Sequence, residues 1–526
     1  MILVYLIAIP MAAGIIAWVL DLIHPTLSRL TALLGNAIVF VIAIALWFSS
    51  GSIAGFYNTS QWLKIFNFPW IPDLGIGVTL GLDGLSLLMI LLTSILGFIS
   101  VIVSWTEIKE RVGFFHFNLM WSLAGITGVF LALDLFLFYF LWEVMLVPMY
   151  FLIAIWGHEN RRYASIKFFL FTQLSGLFML LSIIALALIH NHTAGYLTFN
   201  YFELLETTIG LTAGRWLMLG FLVAFAVKLP MVPLHTWLPD AHTEAPTAGS
   251  VILAGLLLKT GAYGLIRFVV PLFPEASQFF SLPLVILGVA GIIYGAALAF
   301  AQQDLKRLVA YTSISHLGFV LVGIFSFSVI AYQGVVMQMI CHGFSTGGLF
   351  VLVGMIQEKT GTREMDRLGG LWKVMPRAGG AAMFLAMASL GLPTMGNFIG
   401  EFLVLIGSFH SQTVLVILAT AGLVPATIYS LWLVQKTFHG EPSKEFQPTD
   451  IGARHVITFS VMIIILIWLG LFPQSVLNTT RPTMENTRKA ITAEITEPEN
   501  DNLQTGNVTA QKANEIFFEE EPYGLR

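Results

Sequence analysis

Apolar residues run along this chain in long unbroken blocks, not in the alternation that a half-buried strand requires. Measured against the roughly 20 apolar residues that cross a bilayer, the blocks number fourteen. They lie near 1–20, 29–49, 81–104, 114–132, 134–156, 166–190, 216–238, 247–270, 278–301, 307–328, 331–357, 379–408, 413–438 and 456–474. Continuous runs predict helices, because in lipid every backbone polar group must be bonded within its own segment or in a closed barrel. The expected fold class is an all-α integral membrane protein with about 14 transmembrane helices.

Two of the blocks are interrupted. In "AFAVKLPMVPLHTWLPDAH" (224–242), Lys228 stands in mid-run, followed by Pro230, Pro233 and Pro239. A proline inside a helix removes a backbone bond and clashes with the carbonyl four residues back. Pro230 therefore frees the carbonyl of Ala226, and Pro233 that of Leu229. Pro393 similarly frees Ser389, in a stretch loosened by Gly391, Gly396 and Gly400. Unwound backbone at membrane depth survives where protein or a wet cavity satisfies it. A lysine and a break in one place thus point to a shared hydrated pocket. Broken helices 7 and 12 are an odd number of segments apart, so they run in opposite directions, as in transporters built from inverted halves. This predicts two inverted five-helix repeats. The expected organisation is N-terminal helices at 1–110, repeat A at 111–271, repeat B at 272–440, helix 14 at 441–478 and a polar acidic tail at 479–526.

Composition agrees with a membrane protein: of 526 residues, 57% are hydrophobic and 11% charged, against about 25% charged in soluble domains. The single cysteine, Cys341, excludes a disulfide framework and a four-thiolate iron–sulfur cluster. No Gly-x-x-x-x-Gly-Lys loop and no strand-following Gly-x-Gly-x-x-Gly occurs. Connections after odd-numbered segments hold 16 basic residues; those after even-numbered segments hold Lys64, Arg215 and Arg267. The positive-inside rule puts the first set in the cytoplasm and both termini on the other side. The Thr-, Asn- and Glu-rich tail from 479 reads as a weakly ordered extension, with "EIFFEEEPYGLR" as a docking segment.

Setting aside loops and tail leaves two lysines, Lys228 and Lys259, each about twelve residues into its segment, roughly 18 Å deep at 1.5 Å per residue. Glu143, Glu401, His316 and His342 also fall inside segments. An ionised residue at the bilayer centre costs roughly 2.5–3.5 kcal/mol on insertion scales, so such groups face the bundle interior and mark ion or proton routes. Burial and a nearby opposite charge pull a pKa in opposing directions, which suits a proton relay. The competing reading is structural: a Glu143–Lys228 ion pair locking two helices, or Glu401 bonding the break at Pro393. His235 and His242 read as loop or cap histidines near the cytoplasmic end, and Asp83 and Asp134 as N-terminal caps.

The stretches "LWEVMLVPMYFLIAIWG", "KLPMVPLHTWLPDAHTEAPTAGSVILAGLLLKTGAYG", "DLKRLVAYTSISHLGF" and "REMDRLGGLW" resemble the chain M family of respiratory NADH–quinone oxidoreductase (complex I), within the antiporter-like membrane subunits. The resemblance covers segments three to thirteen. It implies that Glu143 and Lys228 form a loading pair and that Lys259 is the central relay. His316 and His342 would bridge Lys259 through waters to Glu401, which would release the proton towards the outer side. The glutamate at 401 resembles chain M, or one chain of the multi-subunit sodium/proton antiporters, since other complex I chains carry lysine there. The resemblance also implies no cofactor in this chain; NADH, FMN, iron–sulfur clusters and quinone would belong to partner subunits. Antiporter-like neighbours would flank it in the membrane arm of a bacterial inner membrane. Two further readings stand beside this one: a subunit of a multi-subunit sodium/proton antiporter, and an inert scaffold between other membrane chains.

Overall fold

The computed structural model describes residues 1–49, 62–441 and 448–493. Thirteen helices among them are long and apolar enough to cross a membrane. Helices α1 (Ile2–Leu20) and α2 (Pro25–Ser49) precede α3 (Gly84–Glu107), α4 (Val112–Leu131), α5 (Leu135–Trp156) and α6 (Arg161–Ala194). Segment seven runs as two helices, α7 (Leu211–Lys228) and α8 (Trp237–Glu244). The eighth span, α9 (Thr247–Leu272), contains two π-helical turns, Leu253–Leu257 and Leu265–Val269. Then come α10 (Pro274–Phe300), α11 (Leu305–Ile324) and α12 (Val329–Thr360). The twelfth segment is also two pieces, α13 (Pro376–Ser389) and α14 (Gly396–Phe409), each too short to span alone. This is why thirteen long helices stand where fourteen segments are expected. The chain continues through α15 (Thr413–Ala421) and α16 (Leu423–Phe438), which together make one span, then α17 (Ala453–Leu471) and α18 (Gln474–Ala493).

Burial sorts the helices. The apolar window of α9 is wholly enclosed and that of α12 nearly so, whereas two thirds of those of α1, α2 and α17 face outward. The helices that carry Lys259, His342 and His316 are therefore the most enclosed, where the cost of a charge in hydrocarbon is avoided, whereas those of Glu143 and Lys228 are about half enclosed.

Three features depart from the sequence expectations. Between α2 and α3 the chain forms an antiparallel hairpin, β1 (Trp62–Ile71) with β2 (Ile76–Asp83). Arg267, expected in a loop, lies two turns below Lys259 and is 2% exposed, paired with Asp83. Asp83 does cap α3 through the Ser86 amide (2.9 Å), as Asp134 caps α5 through that of Leu137 (2.9 Å). The residues from 479 to 493, expected to be weakly ordered, form most of α18. Their buried positions, Thr480, Thr483, Met484, Thr487 and Ile491, recur with helical period. The hydroxyl of Thr483 donates to Asp83 (2.9 Å), and Trp47 Nε1 donates to Thr479 (2.9 Å). The segment "EIFFEEEPYGLR" lies outside the described residues.

Candidate proton-relay site

The site begins at the break. Helix α7 ends on Lys228, and the amide of Met231 takes up the carbonyl of Ala226 (2.9 Å). The indole of Trp237, at the start of α8, donates to the Val227 carbonyl (2.9 Å), tying the two halves together. Lys228 is fully buried, and among the described residues its ammonium has no hydrogen-bond partner. It sits 5.2 Å from the ring centre of Trp142 and 5.5 Å from that of Phe168. The expected Glu143–Lys228 ion pair is not made. The two are within electrostatic reach, but Glu143 interacts with Tyr139 and Gln173 and lies beside Gly176 of α6, where an added Cβ would be 3.1 Å from its Oε1. Aromatic faces stabilise an ammonium that is out of contact with its counter-ion.

Lys259 lies in α9, which packs directly on α7: a Cβ at Gly261 would meet the Phe225 carbonyl at 2.7 Å and the Lys228 Cβ at 3.1 Å. The lysine ammonium turns back to the carbonyl of Ala254, inside the first π turn. Such turns recur at functional sites because they redirect carbonyl groups and side chains locally. The same ammonium is 2.6 Å from Nδ1 of His342 on α12. The His342 and His316 rings stand edge to face, with centres 5.7 Å apart. His316, on α11, places Nδ1 3.1 Å from Glu401 Oε1. Lys259, His342, His316 and Glu401 thus form one contiguous line across four helices, and each is less than 5% exposed.

The Glu401 end is closely held. Gln338 Nε2 also donates to Oε1 (3.1 Å), while His316 Nε2 meets Ser389 Oγ (3.1 Å) and the Tyr429 hydroxyl (3.2 Å). Ser389 is the last residue of α13, so the break supplies a partner to the relay. Gly391 follows at φ +75°, and a Cβ there would sit 2.6 Å from Glu401 Oε2. Gln338, Ser389 and Tyr429 are absent from the sequence-derived set; neutral polar residues carry no depth signal of their own.

His235 and His242, read from sequence as loop or cap histidines, are buried, at 5% and 0% exposed. His242 lies in α8, stacked on Phe350 of α12 at 4.5 Å, within electrostatic reach of both Lys259 and Lys306. Lys306, placed by sequence in a connection, is fully buried with its ammonium on the Ala245 carbonyl (2.6 Å). Both nitrogens of His242, the Thr243 and Thr346 hydroxyls and Nε2 of His342 are buried without a hydrogen-bond partner. A cavity of about 420 Å³, lined by Glu107, His158, Thr247, Glu358 and His455, lies on the side of the basic connections.

Fold and site together define an antiporter-like membrane subunit: two interrupted helices flank an enclosed line of ionisable groups. Residues 132–426 match the family model described as NADH:quinone oxidoreductase/Mrp antiporter, TM. Among curated relatives, NADH-quinone oxidoreductase subunit M of Pseudomonas aeruginosa is 49% identical, over 94% of this chain and 99% of that protein. Subunit M of Escherichia coli is 47% identical over the same shares. A chain in the structure of respiratory complex I from Thermus thermophilus with bound NADH superposes with a TM-score of 0.84 at 30% identity, covering 93% of this chain and 100% of that one. The chain belongs to the NADH:quinone oxidoreductase/Mrp antiporter family, in its NADH-quinone oxidoreductase subunit M branch.

Proposed function

We infer that this chain is a proton-translocating membrane-arm subunit of an NADH–quinone oxidoreductase, coupling electron transfer in partner subunits to pumping through Glu143, Lys228, Lys259, His342, His316 and Glu401. The observation that carries the reading is the contiguous Lys259–His342–His316–Glu401 line. A proton on Lys259 passes to His342 at 2.6 Å, crosses between the edge-to-face rings of His342 and His316, and reaches Glu401 at 3.1 Å. Lys228 biases Lys259 from the neighbouring helix. Glu143 does so from further out, since a charge moved toward or away from Lys228 changes how strongly that lysine repels a proton on Lys259. The cavity at Glu107 and Thr247, with His242 beneath it, offers the entry from the basic side.

Moving one charge against 100 mV costs roughly 2.3 kcal/mol, so the drive comes from outside this chain. NADH, FMN, iron–sulfur clusters and quinone belong, in this reading, to partner subunits. Antiporter-like subunits flank the chain in a bacterial inner membrane, with both termini on the non-cytoplasmic side, and tandem inverted repeats at 111–271 and 272–440 set the two half-routes.

The test is NADH-driven proton uptake in inverted membrane vesicles carrying Lys259→Ala, read beside NADH–ferricyanide reductase activity of the same membranes. The expected result is intact reductase with pumping reduced at least tenfold; undiminished pumping overturns the reading. Co-purification of the chain with no flavin or iron–sulfur absorbance would favour the sodium/proton antiporter instead.

A further inference from the structure

Outside the relay, the molecule carries a groove on its outer face. Helix α3 forms its floor and α2 and α17 its walls. Two adjoining cavities, about 240 and 280 Å³, share Phe40 of α2 and Ile95 of α3. At one end the walls meet through Trp47 and Trp468, edge to face at 6.4 Å. The groove runs along α17 from Ile457 to Trp468, roughly 16 Å at 1.5 Å per residue. This is about the depth of one leaflet of a 30 Å hydrocarbon core.

The open end is basic. Arg29 of α2 donates to the Ile108 carbonyl (3.1 Å) and lies over the Trp105 ring (5.3 Å). Arg454 of α17 donates to the Thr106 hydroxyl (2.7 Å), and its own carbonyl accepts from Thr458, which lines the groove. The two guanidinium groups therefore converge on the last turn of α3 from opposite walls. Neither has a carboxylate at ion-pair distance among the described residues; Asp21 is within electrostatic reach of Arg29 but no closer. Nε of Arg29 is buried with no partner.

We propose that this groove seats one acyl chain of an anionic phospholipid whose phosphate is held between Arg29 and Arg454. Guanidinium forks match phosphate oxygens in geometry and charge, and a tryptophan at the mouth suits the interface between headgroup and chain. Two guanidinium groups without a carboxylate at ion-pair distance among the described residues select a net-negative headgroup over a zwitterionic one. The apolar lining, long and narrow between two peripheral helices, fits a hydrocarbon chain better than the side chains of a neighbouring subunit. The site is independent of the relay and would stand if the pumping assignment fell.

The experiment uses the whole complex, purified in mild detergent and reconstituted into vesicles of phosphatidylethanolamine with phosphatidylglycerol bearing a photoactivatable acyl chain. In the unaltered complex, the label is expected on α3 and α17 of this chain. Arg29→Gln with Arg454→Gln is expected to cut that labelling at least fivefold. Ile95→Trp, which fills the groove and leaves both arginines, is expected to do the same in a complex that remains assembled. A label absent from α3 and α17, a label unaffected by both variants, or groove residues that crosslink to another subunit in place of lipid would each overturn the proposal.

Discussion

At the scale of single residues, the line from Lys259 to Glu401 depends on side chains with few alternatives. Glu401→Gln keeps the shape and the Gln338 contact but removes the proton acceptor facing His316. General acid–base groups contribute about 10²–10⁴-fold, so NADH-driven pumping should drop by at least tenfold while assembly, followed on native gels, persists. Gly391→Ala tests the same carboxylate from the other side. Its φ of +75° and the 2.6 Å approach to Glu401 Oε2 make a side chain cost roughly 1–2 kcal/mol in backbone strain alone, and the carboxylate must move. Proton uptake in Gly391→Ala vesicles should fall below half that of the parent. Burial could be read from the sequence for Lys228, Lys259, Glu401 and both relay histidines because each interrupts an apolar run; Glu143 is half-buried. Depth for His242, Lys306 and Arg267 could not. They sit near segment ends, where a count along the chain cannot tell a buried end from an exposed one.

At the scale of elements, two interruptions and one close approach decide the geometry. The prolines announce both breaks, and the structure places Lys228 on the last turn before one and Ser389 on the last turn before the other. Between them, α7 and α9 touch backbone to backbone at Gly261. A branched residue there cannot be relieved by a rotamer change, because the obstructing atoms are the Phe225 carbonyl and the Leu229 amide. Gly261→Val should cost on the order of 1–3 kcal/mol as overpacking; the check is the loss of assembled complex at elevated temperature against the parent. The hairpin and α18 were not legible. A hairpin of 22 residues has no helix-length apolar block to announce it, and α18 buries a stripe of threonines that hydropathy scores as polar. Thr483→Val keeps the volume and removes one hydrogen bond to the buried Asp83 carboxylate; bonds to charged groups contribute about 1.5–3 kcal/mol. Arg267→Met leaves that carboxylate without its cation, a change of roughly 3–5 kcal/mol. The thermal midpoint of the complex should therefore fall more for Arg267→Met than for Thr483→Val; the reverse order would contradict this account of the cluster.

At the scale of the whole molecule, the connections on the basic side close over the relay's entry. His158, between α5 and α6, donates its amide to the Glu244 carbonyl (2.9 Å) and lines the entry cavity. Burial pushes its imidazole from the ordinary value down to about 3, with Lys306 and Arg363 adding repulsion. A histidine whose folded pKa is lowered is neutral in the native state, so the unfolded chain binds more protons between about pH 6.5 and 3. Its contribution to stability is complete above that window and is lost as pH falls through it. Because the ring is partly exposed, the effect at pH 5 is on the order of 1 kcal/mol. His158→Gln should flatten the decline in thermal midpoint between pH 7 and 5; an unchanged slope would remove His158 as its source.

The amino-acid order alone determined that this chain lives in lipid, where its helices run, where two of them break, and which ionisable residues interrupt its apolar runs. Each of these follows from one-dimensional facts: the length of an apolar run, the geometry of proline, the cost of a charge in hydrocarbon. Only the folded chain decided which of those residues touch. It joined Lys259 to Glu401 through two histidines while holding Glu143 apart from Lys228, and it turned loop cations into buried ones. Contact between helices depends on how they pack face to face, and packing is set by all the side chains together and not by the spacing of any few.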